Sequence, residues 1–315
     1  MNKFKLIFLI LITVFLCNRD VSAKAIKVYN YEDFCDKLCI QVLNHTEQQF
    51  YEMPSYDMAK SVLDSKLASN FSYHYNENNP LESGCYLQSF VDTFLMTAYS
   101  NRMFSMRIMY KYSADEMNDH LENIKKIAAT LKRDTDFDTV LAVHDYLVDN
   151  FVYDDYLSVS EFNNHSDLEG FRDGRMVCSG YSFATYYMLN YLGVKTRIIF
   201  GYGGETTTGP ENHAWNIVNL DGTWYNLDVT WDDFSPGKKD YTYFLKNDED
   251  FKNHIRSNHA GMEKIGDMIS KTSYKLPKEL RGDNTLYKIG AIITGVLIFI
   301  VIVLINKRRE AGLPF

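Results

Sequence analysis

Three short motifs between Met176 and Asp233 contain a cysteine, a histidine and an aspartate, the residue types of nucleophilic catalysis. A thiolate can attack a carbonyl carbon, an imidazole can carry the proton, and a carboxylate can orient the imidazole. A lone cysteine or histidine is usually structural, so the interpretation depends on the elements that position these residues. The motifs are Val177-Cys178-Ser179-Gly180-Tyr181, His213-Ala214-Trp215-Asn216 and Trp224-Tyr225-Asn226-Leu227-Asp228.

Cys178 is predicted to open a helix. Apolar residues recur at helical spacing from Cys178 to Leu192, and Gly193 indicates the end of the helix. At the start of a helix, unpaired N–H groups and the helix dipole stabilise a thiolate. The same N–H groups could bind the oxyanion that forms when the thiolate attacks a carbonyl.

His213 and Asp228 are predicted to lie on the two strands of one hairpin. The segments 213–220 and 223–229 flank Asp221-Gly222, a strong signal for a two-residue turn. In that register His213 opposes the residue two positions beyond Asp228, so Asp228 is a diagonal neighbour within side-chain reach. Asp228 would then fix the imidazole tautomer and stabilise an imidazolium.

Aromatic residues near these motifs are candidates for the walls of a substrate cleft, although core packing is the commoner role of tryptophan. The tryptophans are predicted to fall in the two strands of the hairpin. Asp232 and Asp233 stand at a strand end, where an acidic pair is usually solvated, so we predict no metal site and no cofactor. The cleft candidates are Tyr181, Trp215, Trp224 and Trp231.

The segment before the motifs is predicted to be a small mixed α/β region in which nothing looks catalytic. Met103 to Tyr112 alternates with the period of a half-buried strand, and Phe71 to Tyr75 looks extended. Phe90 to Ala98 has helical spacing. This region spans residues 24–112.

Two helices should follow. Ser113 and Glu116 form a capping box before the first helix, and the second begins after Thr135. His144 lies on the apolar face of the second helix, where a hydrogen-bonded core histidine is the favoured interpretation. A polar loop is predicted from the end of this helix to Gly174.

Both chain ends have the composition of membrane-targeting segments. Lys3 and Lys5 precede an apolar run that closes with small residues, which is typical of an export signal. Residues 286–305 are long and apolar enough to span a bilayer, and the basic residues after them should stay in the cytoplasm. The predicted division is a signal peptide at 1–23, the mixed region at 24–112, a catalytic domain at 113–285, a transmembrane helix at 286–305 and a cytoplasmic tail at 306–315. The body would thus lie outside the cell membrane.

Charge and cysteine content narrow the function classes. The net charge of −8 offers no basic stripe for phosphates, which argues against a nucleic-acid partner. With 46% hydrophobic and 15% aromatic residues, the 315-residue chain can bury a substantial core. Cys35, Cys39 and Cys85 could form one disulfide, and the sequence leaves the pairing open.

The motifs resemble those of the transglutaminase-like superfamily, specifically its bacterial exported members. The matching segments are Val177 to Tyr181, His213 to Asn216 and Trp224 to Asp232. The resemblance covers roughly Thr135 to Phe234. It implies an α+β, papain-like (transglutaminase-core) fold with N-terminal helices and an antiparallel sheet. The residues that match the family's catalytic triad are Cys178, His213 and Asp228.

The resemblance also implies acyl-thioester chemistry. Members of this family crosslink glutamine to lysine, hydrolyse peptides or amides, or only bind where the triad has decayed. Papain-like peptidases carry a glutamine shortly before the nucleophile, but Phe171 to Val177 contains none, so a second oxyanion donor is unassigned. The zinc-binding cysteine pairs of the deglycosylating branch are absent too.

These features lead to the expectation of a membrane-anchored, outward-facing thiol enzyme acting on protein or peptide amides, including cell-wall peptide. The alternative is a non-catalytic cell-surface binding or assembly module that uses the same cleft. A disulfide-bonded Cys178 would favour that alternative. The residues do not separate transferase from hydrolase, and they do not fix the oligomeric state.

Overall fold

The computed structural model describes residues 25–62, 67–99, 102–154, 165–204, 209–233, 239–258 and 265–280. The predicted signal peptide and transmembrane helix lie outside these ranges. Within them, no helix has both the length and the apolar character needed to cross a bilayer. The chain divides into two compact units, Met1–Tyr274 and Lys275–Phe315, and Lys278–Leu280 forms a short 3-10 helix in the second.

The first unit contains helices and strands in mixed order. Its described strands are β1 (Ile26–Lys27), β2 (Gln48–Glu52), β3 (Val91–Ala98), β4 (Met103–Tyr110), β5 (Val152–Tyr153), β6 (Arg175–Met176), β7 (Thr196–Gly203), β8 (Glu211–Leu220), β9 (Thr223–Leu227) and β10 (His254–Arg256). Its described helices are α1 (Tyr31–Leu43), α2 (Tyr56–Ser61), α3 (Leu67–Tyr73), α4 (Gly84–Leu87), α5 (Ala114–Leu131), α6 (Asp136–Asn150), α7 (Asp167–Asp173), α8 (Cys178–Tyr191), α9 (Val229–Asp232) and α10 (Ile265–Met268), with 3-10 turns at Pro80–Glu82 and Gln88–Phe90.

The N-terminal sheet has the strand order β1-β2-β4-β3. β4 confirms the alternating pattern, but the helix predicted for Phe90 to Ala98 is wrong, because most of that segment is β3. Its apolar residues meet β4 across the ladder, as Phe94 does opposite Ile108, so tertiary pairing overrides the local spacing. The extended structure predicted for Phe71 to Tyr75 is also wrong, since α3 continues to Tyr73.

Caps define the central helices. The capping box of Ser113 and Glu116 is confirmed at the start of α5, and Thr135 caps α6. Sequence reasoning missed a second capping box, in which Ser166 and Glu169 begin α7 inside the predicted polar loop. The missed signal is the serine followed three residues later by glutamate.

The second sheet is antiparallel, has the order β10-β7-β8-β9, and packs on both faces. On one face Asn216 donates a hydrogen bond to the Ser182 carbonyl of α8, 3.0 Å away. On the other face Trp215 and Ile217 join a buried apolar cluster with Phe251. Residues of β8 therefore alternate between α8 and this cluster, which places His213 on the face of Trp215.

The hairpin register is confirmed. Asp221 and Gly222 both have positive φ, 52° and 83°, as the two central residues of a type I′ turn require. Leu220 pairs with Thr223 as predicted. β9 ends at Leu227, so Asp228 is the first residue beyond the strand.

Candidate active site

Cys178 is the first residue of α8, and a short parallel strand pair fixes its position. β6 ends at Met176, which pairs with Tyr153 of β5. Val177 follows in an extended conformation and gives the helix no side-chain cap. The first N–H groups of the helix are thus left for another acceptor. The partly buried Cys178 side chain lies beside them.

His213 and Asp228 form a short, buried hydrogen bond. Nε2 of His213 lies 2.7 Å from Oδ2 of Asp228. The two side chains are only 7% and 1% exposed. A buried charge is stable only when it is paired and hydrogen-bonded, and each residue supplies that partner for the other.

The pair is charged at neutral pH. Burial lowers the pKa of His213, but the charge of Asp228 and the hydrogen bonds of His213 with Asp228 and Cys178 outweigh it and raise the pKa to about 10. Burial alone would raise the pKa of Asp228, but His213 and a second histidine, His254, hold it well below its usual range. His213 is therefore an imidazolium and Asp228 a carboxylate near pH 7.

The Cys178 thiol hydrogen-bonds to the same imidazole. Because Nε2 of His213 faces Asp228, Nδ1 is the ring nitrogen that remains for the sulfur. The structure thus brings the three sequence-predicted residues together in the order sulfur, imidazole, carboxylate.

Asp228 accepts four hydrogen bonds. Its Oδ1 caps α9 by accepting from the backbone N–H groups of Thr230 and Trp231, at 3.0 and 3.3 Å. Its Oδ2 accepts from His213 and also from Nε2 of His254, 3.0 Å away. Two donors reach each oxygen, so the orientation of the carboxylate is fixed.

Sequence reasoning missed His254 and misplaced Trp231. His254 begins β10, a strand of three residues that carries no local signal of its own, and only pairing with β7 brings it to Asp228. Trp231 lies in α9, so the prediction that it belongs to a strand is wrong. The reason is that Asp228 acts as a helix cap, which the signal of an aspartate before a short apolar run could have indicated.

Two glycines leave space for the packed rings of His213, Trp231 and His254. A Cβ atom on Gly203 would lie 2.9 Å from Cζ2 of Trp231 and 3.0 Å from Cδ2 of His213. A Cβ atom on Gly201 would lie 2.1 Å from the Ile255 carbonyl oxygen. Neither glycine has positive φ, so close approach accounts for them.

A cavity of about 280 Å³ opens beside His213. Of the four cleft candidates, Trp231 lines it. Trp215 is buried against Phe251, and Trp224 packs against the same apolar cluster. Tyr181 is buried, and its hydroxyl donates to Asp233. The lining residues are Tyr153, Gly203, Gly204, Gly209, Glu211, Asn212, His213 and Trp231.

The acidic pair at residues 232 and 233 is buried, so the expectation that it is solvated is wrong. Asp232 is 0% exposed and accepts from Nε2 of His144 at 3.2 Å and from the Tyr243 backbone N–H at 2.8 Å. Burial raises the pKa of Asp232 to about 6, although His144 opposes the shift. His144 is confirmed as a hydrogen-bonded core histidine, whose second nitrogen contacts Asp145.

Three side chains of the site have the composition of a metal centre. Ligand atoms of His213, Asp228 and His254 lie within 4.8 Å of one another. In this structure the three side chains bond to one another, because Oδ2 of Asp228 lies 2.7 Å from Nε2 of His213 and 3.0 Å from Nε2 of His254. The residues fit a hydrogen-bonded cluster better than a metal site.

The N-terminal region contains a second set of the same residue types. Sγ of Cys39 lies 3.6 Å from Nδ1 of His74, whose Nε2 lies 3.1 Å from Oδ1 of Asp36. Cys39 is 0% exposed, and burial raises its pKa well above the usual value. This thiol is inaccessible and protonated, whereas Cys178 is partly exposed. The described cysteines Cys35, Cys39, Cys85 and Cys178 are all free thiols.

Comparisons with known proteins give one family match and several distant structural matches. Residues 125–229 match the family model described as the transglutaminase-like superfamily. This segment holds Cys178, His213 and Asp228 and is similar to that superfamily.

Solved structures of distant sequences are also similar. A Cytophaga hutchinsonii protein provisionally described as a cysteine protease has 19% identity and a TM-score of 0.30, and the match covers 42% of this chain and 55% of that chain. A protein described as a TGase has 14% identity and a TM-score of 0.29, covering 65% of this chain and 59% of that chain. The periplasmic domain of TgpA from Pseudomonas aeruginosa has 16% identity and a TM-score of 0.29, covering 41% of this chain and 54% of that chain.

The chain therefore spans less than two thirds of the length of each of these three structures. No curated protein matches the sequence significantly.

Proposed function

We propose that this protein is a thiol enzyme that forms an acyl-thioester on protein or peptide amides and passes the acyl group to an amine or to water. The observation that carries the proposal is the hydrogen-bonded series Cys178, His213 and Asp228, in which the imidazole is protonated at neutral pH. In this proposal the partly exposed Cys178 reacts as the thiolate, because the thiolate is the nucleophilic form of cysteine.

In the first half of the reaction, the Cys178 thiolate attacks the carbonyl carbon of the amide and a C–S bond forms. The carbonyl oxygen gains a negative charge, which the uncapped N–H groups at the start of α8 would stabilise. His213 gives its proton to the amide nitrogen, the C–N bond breaks, and the amine or ammonia leaves. Asp228 holds the imidazole in place throughout.

In the second half, an amine or a water molecule gives a proton to His213 and attacks the thioester carbon. A new C–N or C–O bond forms, the C–S bond breaks, and Cys178 leaves as the thiolate. The site returns to its starting state because the imidazolium and thiolate are restored together.

We propose that the acceptor is preferentially a primary amine, such as a lysine side chain. Glu211 lines the cavity beside His213, and its side chain is exposed to solvent. An exposed carboxylate in the lining of this cavity attracts a positively charged ammonium group, whereas a water molecule carries no net charge to attract. Trp231, on the cavity wall, is suited to pack against the aliphatic stem of a lysine.

We also propose that the enzyme works outside the cell, attached to the membrane through residues 286–305. The support is the sequence alone, namely the export signal at residues 1–23 and the basic residues after the apolar segment. Protein or cell-wall peptide would then be the accessible substrates.

The test uses the full chain with a glutamine-containing peptide and a tagged primary amine, followed by mass spectrometry. We expect amine incorporation, with ammonia released, and complete loss in Cys178→Ala. Cys39→Ala is the matched control, because it removes a buried thiol that also contacts a histidine. Hydrolysed peptide without incorporation would place the protein among the hydrolases.

Labelling with iodoacetamide tests the activated thiol without a substrate. Cys178 should be alkylated rapidly at neutral pH, and His213→Ala should slow the reaction. If Cys178 were alkylated no faster than Cys39, or if His213→Ala changed nothing, the site would be a non-catalytic binding cleft.

A further inference from the structure

We propose that His254 is a positioning residue of this site, which holds Asp228 in the orientation that His213 requires. The inference rests on the proposed function, because it concerns the same imidazole and thiol. Nε2 of His254 lies 3.0 Å from Oδ2 of Asp228, the oxygen that also accepts from His213.

The orientation of His254 is fixed from its other side. Its Nδ1 lies 2.9 Å from the Lys252 carbonyl oxygen, which can only accept a hydrogen bond. Asn253 between them has a positive φ of 64°, which asparagine tolerates better than most residues. The Asn253 carbonyl in turn accepts from the Gly204 N–H at 3.1 Å, which ties the turn to the end of β7.

Aromatic rings hold the His254 imidazole in this plane. The ring stacks on Phe251 at a centroid distance of 3.8 Å and lies 4.2 Å from Trp231. The side chain is only 1% exposed. Both ring nitrogens lie within hydrogen-bond distance of oxygen atoms, and Phe251 and Trp231 pack against the ring, so its orientation toward Asp228 is fixed.

The geometry explains why a second donor is needed. Two backbone N–H groups at the start of α9 hold Oδ1 of Asp228. Without His254, the position of Oδ2 would depend on the hydrogen bond with His213 alone. The hydrogen bond between His254 and Oδ2 gives this oxygen a second fixed partner. The titratable groups that face this cluster are Cys178, His213, Asp228, Asp232 and Tyr243.

The test compares His254→Phe and His254→Gln in the full chain by the rate of Cys178 alkylation with iodoacetamide. Phenylalanine keeps the ring packing and loses both hydrogen bonds, whereas glutamine places an amide donor near the position of Nε2. Losing a hydrogen bond to a charged group should slow alkylation by roughly tenfold to a hundredfold in His254→Phe. His254→Gln should recover most of that rate.

The matched control is His120→Phe. Nε2 of His120 lies 3.0 Å from Oδ2 of Asp167, and both side chains are buried, but this pair does not touch the Asp228 cluster. The variant should lose thermal stability and keep the wild-type alkylation rate. All rates are measured well below the melting temperature of each variant, which separates positioning from folding.

The pH profile provides a second readout. Without His254, Asp228 holds the His213 imidazolium less firmly. The pH at which the alkylation rate rises should therefore be higher in His254→Phe than in the wild type. In His254→Gln it should be close to the wild-type pH. If folded His254→Phe kept the wild-type rate and pH profile, or if both variants lost the same rate, the role of His254 would be overturned and the proposed function would stand. An unreactive wild-type Cys178 would overturn the proposed function together with it.

Discussion

Gly203 lies so close to His213 that a Cβ atom at this position would be 3.0 Å from Cδ2 of the imidazole. The glycine therefore provides the space in which the histidine ring stands between β7 and α9. The alignment of sulfur, imidazole and carboxylate depends on this absence of a side chain.

Gly203→Ala should displace His213 and Trp231 by a few tenths of an ångström and slow Cys178 alkylation, because nucleophile and base must stay within hydrogen-bond reach. Gly266→Ala is the control, since the nearest atom to a Cβ there is 4.0 Å away. Iodoacetamide rates for the two variants check the prediction. Equal rates would show that the site absorbs the extra methyl group.

Asp228→Asn should reduce turnover by a factor of roughly 10² to 10⁴, since the imidazole loses its orienting charge. The alkaline limb of activity should also move to lower pH. Asp228 is what raises the pKa of His213 to about 10 against the effect of burial, so without it the imidazolium loses its proton nearer neutrality. The pH dependence of amine incorporation measures both effects, with exposed Asp173→Asn as control.

The same pair predicts how stability depends on pH. Because the pKa of His213 is raised, the contribution of this residue to fold stability is complete below about pH 6.5, the usual pKa of histidine. That contribution is lost as pH rises through about 10. Because the pKa of Asp228 is lowered, its contribution to fold stability is present above about pH 4 and is lost at lower pH. The melting temperature of wild type relative to Asp228→Asn should thus be highest between about pH 4 and 6.5. A difference that grows toward pH 10 would contradict this.

His144→Leu should destabilise the fold by about 3 to 5 kcal/mol, because it leaves the buried Asp232 carboxylate without its imidazole partner. Urea unfolding followed by circular dichroism measures the loss. Lys125→Ala removes an ion pair with Glu122 that is largely exposed, and it should cost less than about 1 kcal/mol. Similar losses in the two variants would mean that Asp232 is protonated or solvated after the substitution.

Glu211→Gln should raise KM for a primary amine by up to about fivefold, the range of an exposed ion pair, and leave hydrolysis unchanged. The exposed Glu249→Gln makes the same change in net charge away from the cavity lining. Amine titrations at low and high salt separate a local contact from overall charge. An equal change in both variants would remove Glu211 from the acceptor site.

Local chemistry made much of the site predictable. Asp221 and Gly222 set the hairpin register through their own backbone preferences, and the register brings Asp228 to His213. The extent of α8 was predictable too, because the apolar spacing defines the helix and Gly193 follows its end. These elements needed no information from distant parts of the chain.

The missed features depend on distant contacts. The sequence predicts a helix at β3 because Phe94 and Ala98 have helical spacing, whereas pairing with β4 makes the segment a strand. His254 reaches Asp228 through a three-residue strand whose pairing with β7 has no sequence signature. Asp232 is buried because α9 turns it toward His144 on α6, a contact between segments far apart in sequence.

The four donors around Asp228 come from β8, from α9 and from the first residue of β10. Each element can open locally before the whole molecule unfolds, and β10 is the shortest of the strands in its sheet. Detachment of β10 alone would release one donor from the carboxylate and loosen the imidazole beside the sulfur. On slow heating, the reactivity of the thiol should therefore fade some degrees before the helices melt.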